Sequence, residues 1–138
     1  MRIKNEIEYV IRILLYLTKY GNNRIVASNE ISDAEAIPHL FSLRILKKLE
    51  KRGLVTIFKG ARGGYKLTRP GSKITLRDAV ESIEPIICIK DCINEPESCP
   101  LRRGNCAVNR AFSQIQNDFI SKLEAVDFQT LADETYGD

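Results

Sequence analysis

Between Ile37 and Leu67 the chain reads IPHLFSLRILKKLEKRGLVTIFKGARGGYKL, and this run constrains the fold more than any other. Pro38 opens a helix, where its fixed φ and missing N–H do no harm. Phe41, Ile45, Leu46 and Leu49 supply an apolar stripe at helical spacing, and Gly53 stops the helix near Arg52. Two β-rich segments follow, 54–58 and 64–68, around a turn containing Gly60, Gly63 and Gly64. They predict a hairpin with a positively charged tip. Just upstream, Ser28 is the expected N-cap of a short helix running to about Ala36, with Ile31 and Ala34 facing inward. Two short helices, a tight turn and a hairpin make a winged helix-turn-helix.

The remaining segments fit round this unit. Ile7, Val10, Ile11, Leu14 and Leu17 predict a helix over residues 5–20, ended by Gly21. Residues 24–26 read as a short strand, and Thr75 as the cap of a helix reaching Ile83. Residues 85–106 are Pro- and Cys-rich with no apolar period, an unusually long loop unless a ligand organises it. A long helix follows from Ala107 to about Val126, with Phe112, Ile115, Phe119, Leu123 and Val126 as its seam. So long an apolar stripe at a chain end predicts packing against the same helix of a second subunit. The expected fold is mainly α with a small β-wing. Its parts are a DNA-binding domain at 1–84, a cysteine-bearing loop at 85–106, and a dimerisation helix with a tail at 107–138.

At 138 residues the chain is one ordinary domain, and 43% hydrophobic content excludes wholesale disorder. No apolar run approaches the roughly 20 residues needed to span a bilayer. The opening MRIKNEIEYVIRILLYL is interrupted by Glu6, Glu8 and Arg12 and lacks a small-residue cleavage site. It reads as an amphipathic helix and not a signal peptide, which implies a cytoplasmic protein with no membrane partner. No second histidine, no C-x-x-C pair and no nucleotide-binding glycine loop is present, which argues against an enzyme.

A net charge of +3 hides a strong asymmetry. From Arg44 to Arg77 there are eleven Lys/Arg and one acid, Glu50, so this stretch carries 11 − 1 = +10 and the remainder −7. A basic block inside a folded domain suits a polyphosphate surface, here double-stranded DNA. An α-helix fills the major groove, with its amino-terminal residues facing base edges. The candidates are Pro38, His39, Leu40, Ser42 and Leu43 for bases and Lys47, Lys48 and Lys51 for phosphates. Ser28 is a further candidate at the start of the preceding helix. At the wing, Lys59 and Arg62 could enter a minor groove while Gly63 lets the backbone approach.

All four cysteines, Cys88, Cys92, Cys99 and Cys106, fall in the pattern C-x3-C-x6-C-x6-C. In a cytosolic chain metal or redox chemistry is a better reading than structural disulfides. Thiolates suit zinc or iron–sulfur sites. The gaps of six are long for a zinc knuckle, and a Pro-rich loop can wrap a cluster. Spacing alone leaves the cluster, zinc and reactive thiols open.

The opening helix, IPHLFSLRILKKLEKRGLV, the wing KGARGGYKLTRP with the following ITLRDAVESIE, and CPLRRGNC together resemble the Rrf2 family of bacterial transcription regulators. The resemblance covers nearly the whole chain. It implies a homodimer on a near-palindromic operator, usually repressing and often switched by an iron–sulfur cluster. Cys92, Cys99 and Cys106 match the cluster ligands of such members, each interval being one residue longer than the common pattern. The histidine used by some members three positions after the last cysteine is here Asn109. Other members use an acidic residue of the first helix, and Glu8 occupies that place, with Cys88 a competing fourth ligand. Three cysteines and a carboxylate favour [4Fe-4S] over [2Fe-2S]. The alternative is a regulator of the same fold using zinc, thiol oxidation or a protein partner. The bland reading of Glu8 is an i,i+4 pair with Arg12.

Overall fold

The structure is a computed structural model that describes residues 2–101 and 106–137. Helix α1 (Asn5–Tyr20) follows the expected span; it packs against the third, fourth and last helices and the second strand, and its Val10, Ile13, Leu14 and Leu17 are buried. They form one core with Val26, Ile31, Ile45, Leu46, Leu49, Ile74 and Phe128. Ile11, expected in that stripe, is only half-buried.

Helix α2 (Ser28–Ala34) begins at its expected cap, one residue earlier than expected. Ala27 is the N-cap, without a side-chain hydrogen bond, and Ser28 is already helical. The inward face is Ile31 and Ser32, whereas Ala34 is exposed at the helix end. Glu30 on this helix accepts from Tyr16 Oη at 2.5 Å and from both Arg24 terminal nitrogens at 3.1 and 2.5 Å. Arg24 first, and Tyr16 next, hold the Glu30 carboxyl down to about 2 from an ordinary 4.5. A depressed carboxylate stabilises the fold above its unfolded value, and the contribution is lost as pH falls from about 4.5 towards 2. Glu30→Gln is therefore expected to flatten the acid limb of melting temperature against pH in that window.

Helix α3 (His39–Lys51) buries Ser42, Ile45, Leu46 and Leu49, at spacings of i, i+3, i+4 and i+7. The expected stripe placed Phe41 inside and Ser42 outside. The structure reverses them: Ser42 is 0% exposed and Phe41 42%. Phe41 lies at the edge of the buried arc, leaning on Tyr9 with ring centroids 6.2 Å apart. Ser42 Oγ has no hydrogen-bond partner among the described residues. An orphaned buried hydroxyl costs stability and Ala is the better helix former, so Ser42→Ala is expected to stabilise by about 1 kcal/mol in urea unfolding.

The wing is β1 (Val55–Phe58) paired antiparallel with β2 (Gly64–Leu67), in the register Val55↔Leu67 to Phe58↔Gly64. The expected strand at 24–26 is a single bridge, Val26↔Tyr65, which ties the hairpin to the core. Gly63 and Gly64 are sterically required. A Cβ would lie 2.0 Å from the Phe58 carbonyl oxygen at Gly63 and 2.5 Å from that of Val26 at Gly64.

Helix α4 (Leu76–Glu81) starts with a reciprocal capping box between Thr75 and Asp78. The segment expected as a loop contains a single turn, α5 (Asp91–Asn94), and a 3-10 turn at Pro96–Ser98. Helix α6 (Ala107–Glu124) then presents two faces. Gln116 is buried, with Ile120 and Leu123 packed on Ile7, Val80 and Ile87, while Val108, Phe112, Ile115 and Phe119 stay exposed. The expected seam thus divides: Leu123 turns inward, and Val126 lies past the end of α6, where its carbonyl accepts from Leu76 N–H. In place of a tail comes α7 (Phe128–Tyr136), capped by Asp127 and packed back along α1. Among the described residues no helix is long and apolar enough to cross a membrane.

Candidate nucleic-acid interface and cysteine site

The outer side of α3 begins with Pro38, His39 and Leu40, all exposed, followed by Leu43, Arg44 and Lys47. Leu40 is 77% exposed, an apolar side chain outside the core. His39 Nε2 lies 3.1 Å from Ser28 Oγ, which joins the starts of α2 and α3 on one surface. Ser42 does not belong to this surface: the rotation that buries it leaves its hydroxyl in the core. Phe41 and Arg44, absent from the sequence candidates, are on the outside, with the Arg44 guanidinium 5.2 Å from the Phe41 ring centroid. The i, i+3, i+4, i+7 pattern of Ser42, Ile45, Leu46 and Leu49 was the available signal.

Lys48 is committed elsewhere. Its Nζ donates to Glu6 Oε2 at 2.7 Å, and this contact holds the Glu6 carboxyl below the usual range. Both side chains are about two-fifths exposed, so solvent weakens the pair and it competes only modestly with a phosphate. At the wing, Lys59 and Arg62 are exposed beside Gly63, whose N–H closes the turn onto the Gly60 carbonyl at 3.0 Å.

The cysteines divide between two places. Cys92 and Cys99 line one cavity of 480 Å³ with Asp91 and Ser98. Cys106 is the N-cap residue of α6. One turn into that helix, Asn109 Nδ2 donates to the Cys92 carbonyl at 2.8 Å and reaches its Sγ at 3.4 Å, tying α5 to α6. Cys88 faces a separate cavity of 570 Å³ lined by Ile3, Ile86 and Phe119, and its thiol donates to the Lys90 carbonyl at 3.0 Å. Glu8 is exposed on α1 and paired with Arg12 Nη2 at 2.6 Å. Among the described residues no three His, Cys, Asp or Glu side chains gather closely enough to hold one metal ion.

A two-helix unit with an exposed second helix and a basic glycine-shaped wing defines a winged helix-turn-helix of the transcription-regulator class. The chain belongs to the Rrf2 family, whose model, described as an iron-dependent transcriptional regulator, matches residues 3–134. It is 34% identical over 125 residues to Protein aau3 of Rhizobium meliloti (strain 1021), spanning 90% of this chain and 80% of that one. The fold is similar to CymR (YrzC), the global cysteine regulator of B. subtilis, with a TM-score of 0.76, 21% identity and 98% of each chain covered. It is also similar to IscR of T. potens, with a TM-score of 0.75, 16% identity, and 99% of this chain and 90% of that one covered. Rrf2 regulators bind DNA and are not enzymes.

Proposed function

We propose that this regulator is a homodimeric repressor of a near-palindromic operator, switched by an iron–sulfur cluster, [4Fe-4S] in preference to [2Fe-2S]. The ligands in this reading are Cys92, Cys99 and Cys106, with Glu8 from the second protomer. The observation that carries it is the meeting of Cys92 and Cys99 in one cavity beside the helix that Cys106 begins. Thiolates are soft donors suited to iron–sulfur clusters, so the donor set fits in chemistry. When bound, the cluster supplies a cross-link sensitive to oxygen, nitric oxide and iron supply.

The chain's own residues give the switch its mechanical sense. Val108, Phe112, Ile115 and Phe119 recur along one exposed face of α6, a row that a second copy of the helix would cover. Among the described residues Glu8 is held by an exposed i,i+4 pair with Arg12, worth about a few tenths of a kcal/mol, so little opposes its recruitment as a ligand. Holding Cys92 and Cys99 against Cys106 at the start of α6 would then set the separation of the two α3 helices and hence operator affinity. The DNA surface in this reading is Ser28, Pro38, His39, Leu40, Leu43, Lys47, Lys59, Arg62 and Gly63, with Lys48 released from Glu6.

A second reading is a cluster-free regulator using zinc, thiol oxidation or a protein partner, and two observations favour its metal-free forms. The three thiols are not gathered into one group. The fold is also that of a protein described as a cysteine regulator. Anaerobic purification with an absorbance spectrum and iron and sulfide analysis separates the two. A coloured protein whose visible absorption disappears in Cys99→Ser is expected; a colourless protein with stoichiometric zinc would support the second reading. Glu8→Ala is expected to change the cluster's stability or type, and identical spectra and DNA binding would remove Glu8 from the switch.

A further inference from the structure

Three of the five tyrosines meet where the ends of α1, α2 and α7 converge. The Tyr16 and Tyr20 rings are 4.8 Å apart at 42°, and Tyr20 and Tyr136 are 5.4 Å apart at 69°. With Ala34 and Glu35 they line a cavity of 300 Å³. The steep angle between Tyr20 and Tyr136 makes two adjacent walls of a corner rather than a stack.

The hydrogen bonding of this corner selects its occupant. Tyr16 donates its hydroxyl to Glu30 at 2.5 Å, and Tyr136 donates to Glu35 Oε1 at 3.0 Å. With those hydroxyls committed, the corner offers ring faces and a carboxylate. Glu30 is balanced by the Arg24 fork. Glu35 has no ion pair among the described residues: the nearby Arg12 guanidinium donates to its backbone carbonyl at 3.3 Å, and Lys19 to the Gly137 carbonyl at 3.3 Å. Burial first and Glu35 next raise the Tyr136 hydroxyl, and burial first and Glu30 next push Tyr16 up to about 12. Burial and the two carboxylates thus keep both hydroxyls protonated and donating, and Glu35 is the carboxylate at the rim with no cation paired to it among the described residues.

We propose that this three-tyrosine corner binds a small methylated ammonium ion. Aromatic faces attract such an ion through their quadrupoles, and a carboxylate at the rim supplies the counter-charge. Methylation suits a corner in which two of the three hydroxyls, those of Tyr16 and Tyr136, are already spent as donors; guanidinium, with five N–H groups to satisfy, fits it less well. Glu35 ends α2, and Ala36 with φ 53° begins the turn to α3, so an occupant lies against the joint of the DNA-reading unit. The site does not depend on the cysteines or on any cluster.

The chain has no tryptophan, so intrinsic fluorescence reports on tyrosines alone. The probe is tetramethylammonium chloride, titrated into the full chain at constant ionic strength against sodium chloride. Saturable change with a Kd of order millimolar is expected, with weaker binding of guanidinium. Glu35→Gln, which keeps an acceptor for Tyr136, should weaken binding about tenfold. Tyr20→Phe should retain it and Tyr20→Leu should lose it, with circular dichroism verifying each fold. A non-saturating response, an equal response to sodium chloride, or parent-like binding by Glu35→Gln would overturn the proposal. If Tyr20→Leu fails to fold, Glu35→Gln and Tyr20→Phe decide the matter.

Discussion

Phe128→Ala is expected to destabilise the protein by about 3–5 kcal/mol, a large share of the roughly 5–15 kcal/mol that holds a domain folded. Phe128 is 0% exposed and sits in the core with Leu14, Leu17 and Ile74. Its backbone is fixed as well, because its N–H donates to the Ile74 carbonyl at 2.9 Å. Nearby backbone has little room to collapse into the cavity: a Cβ on Gly71 would already lie 2.5 Å from the Thr18 side chain and 3.3 Å from the Gln129 nitrogen. The truncated site should therefore keep most of its void, which puts the cost at the upper end of the range. Urea unfolding of Phe128→Ala beside Phe128→Leu measures it, with Leu expected to lose much less. A loss below about 1 kcal/mol for the alanine variant would mean that α7 is not part of the cooperative core.

The second large effect is on DNA. Replacing Lys59 and Arg62 together by alanine is expected to weaken binding at low salt at least tenfold and to reduce the slope of log affinity against log salt by about 2. Both cations are exposed at the wing tip and lie outside the hydrophobic core. Each phosphate neutralised releases a counterion, so a lost contact shows in the slope as well as in the affinity. Lys48→Ala should cost less, since its ammonium must first leave Glu6. Ser42→Ala should leave DNA affinity unchanged, because its hydroxyl is in the core. An unchanged slope in the wing variant would remove the wing from the DNA surface.

The charge asymmetry, the glycine positions of the wing and the Thr75 cap were legible because each rests on local chemistry. A capping hydroxyl, a backbone that tolerates no Cβ and a run of cations announce themselves within a few residues. Helix α7 was missed although Asp127 and Thr130 form its cap and Phe128, Leu131 and Ala132 share its inner face. Its nine residues are too few for periodicity to stand out, and its stability comes from packing on α1. Spacing left the chemistry of the cysteines open, and which of them share a cavity was not legible in it. That depends on where α5 and α6 meet, through Asn109.

The sequence by itself determined that Ile37–Leu67 is a helix, a glycine turn and a basic hairpin, since propensity, capping and turn geometry act over a few residues. Only the tertiary structure decided which face of that helix looks outward. One residue of helix is a rotation of about 100°, enough to exchange Phe41 for Ser42. The apolar pattern was compatible with either, and packing against α1 chose. The same holds for the tyrosine corner, where Tyr136 meets Tyr16 and Tyr20 across more than a hundred residues of chain only because α7 returns to α1.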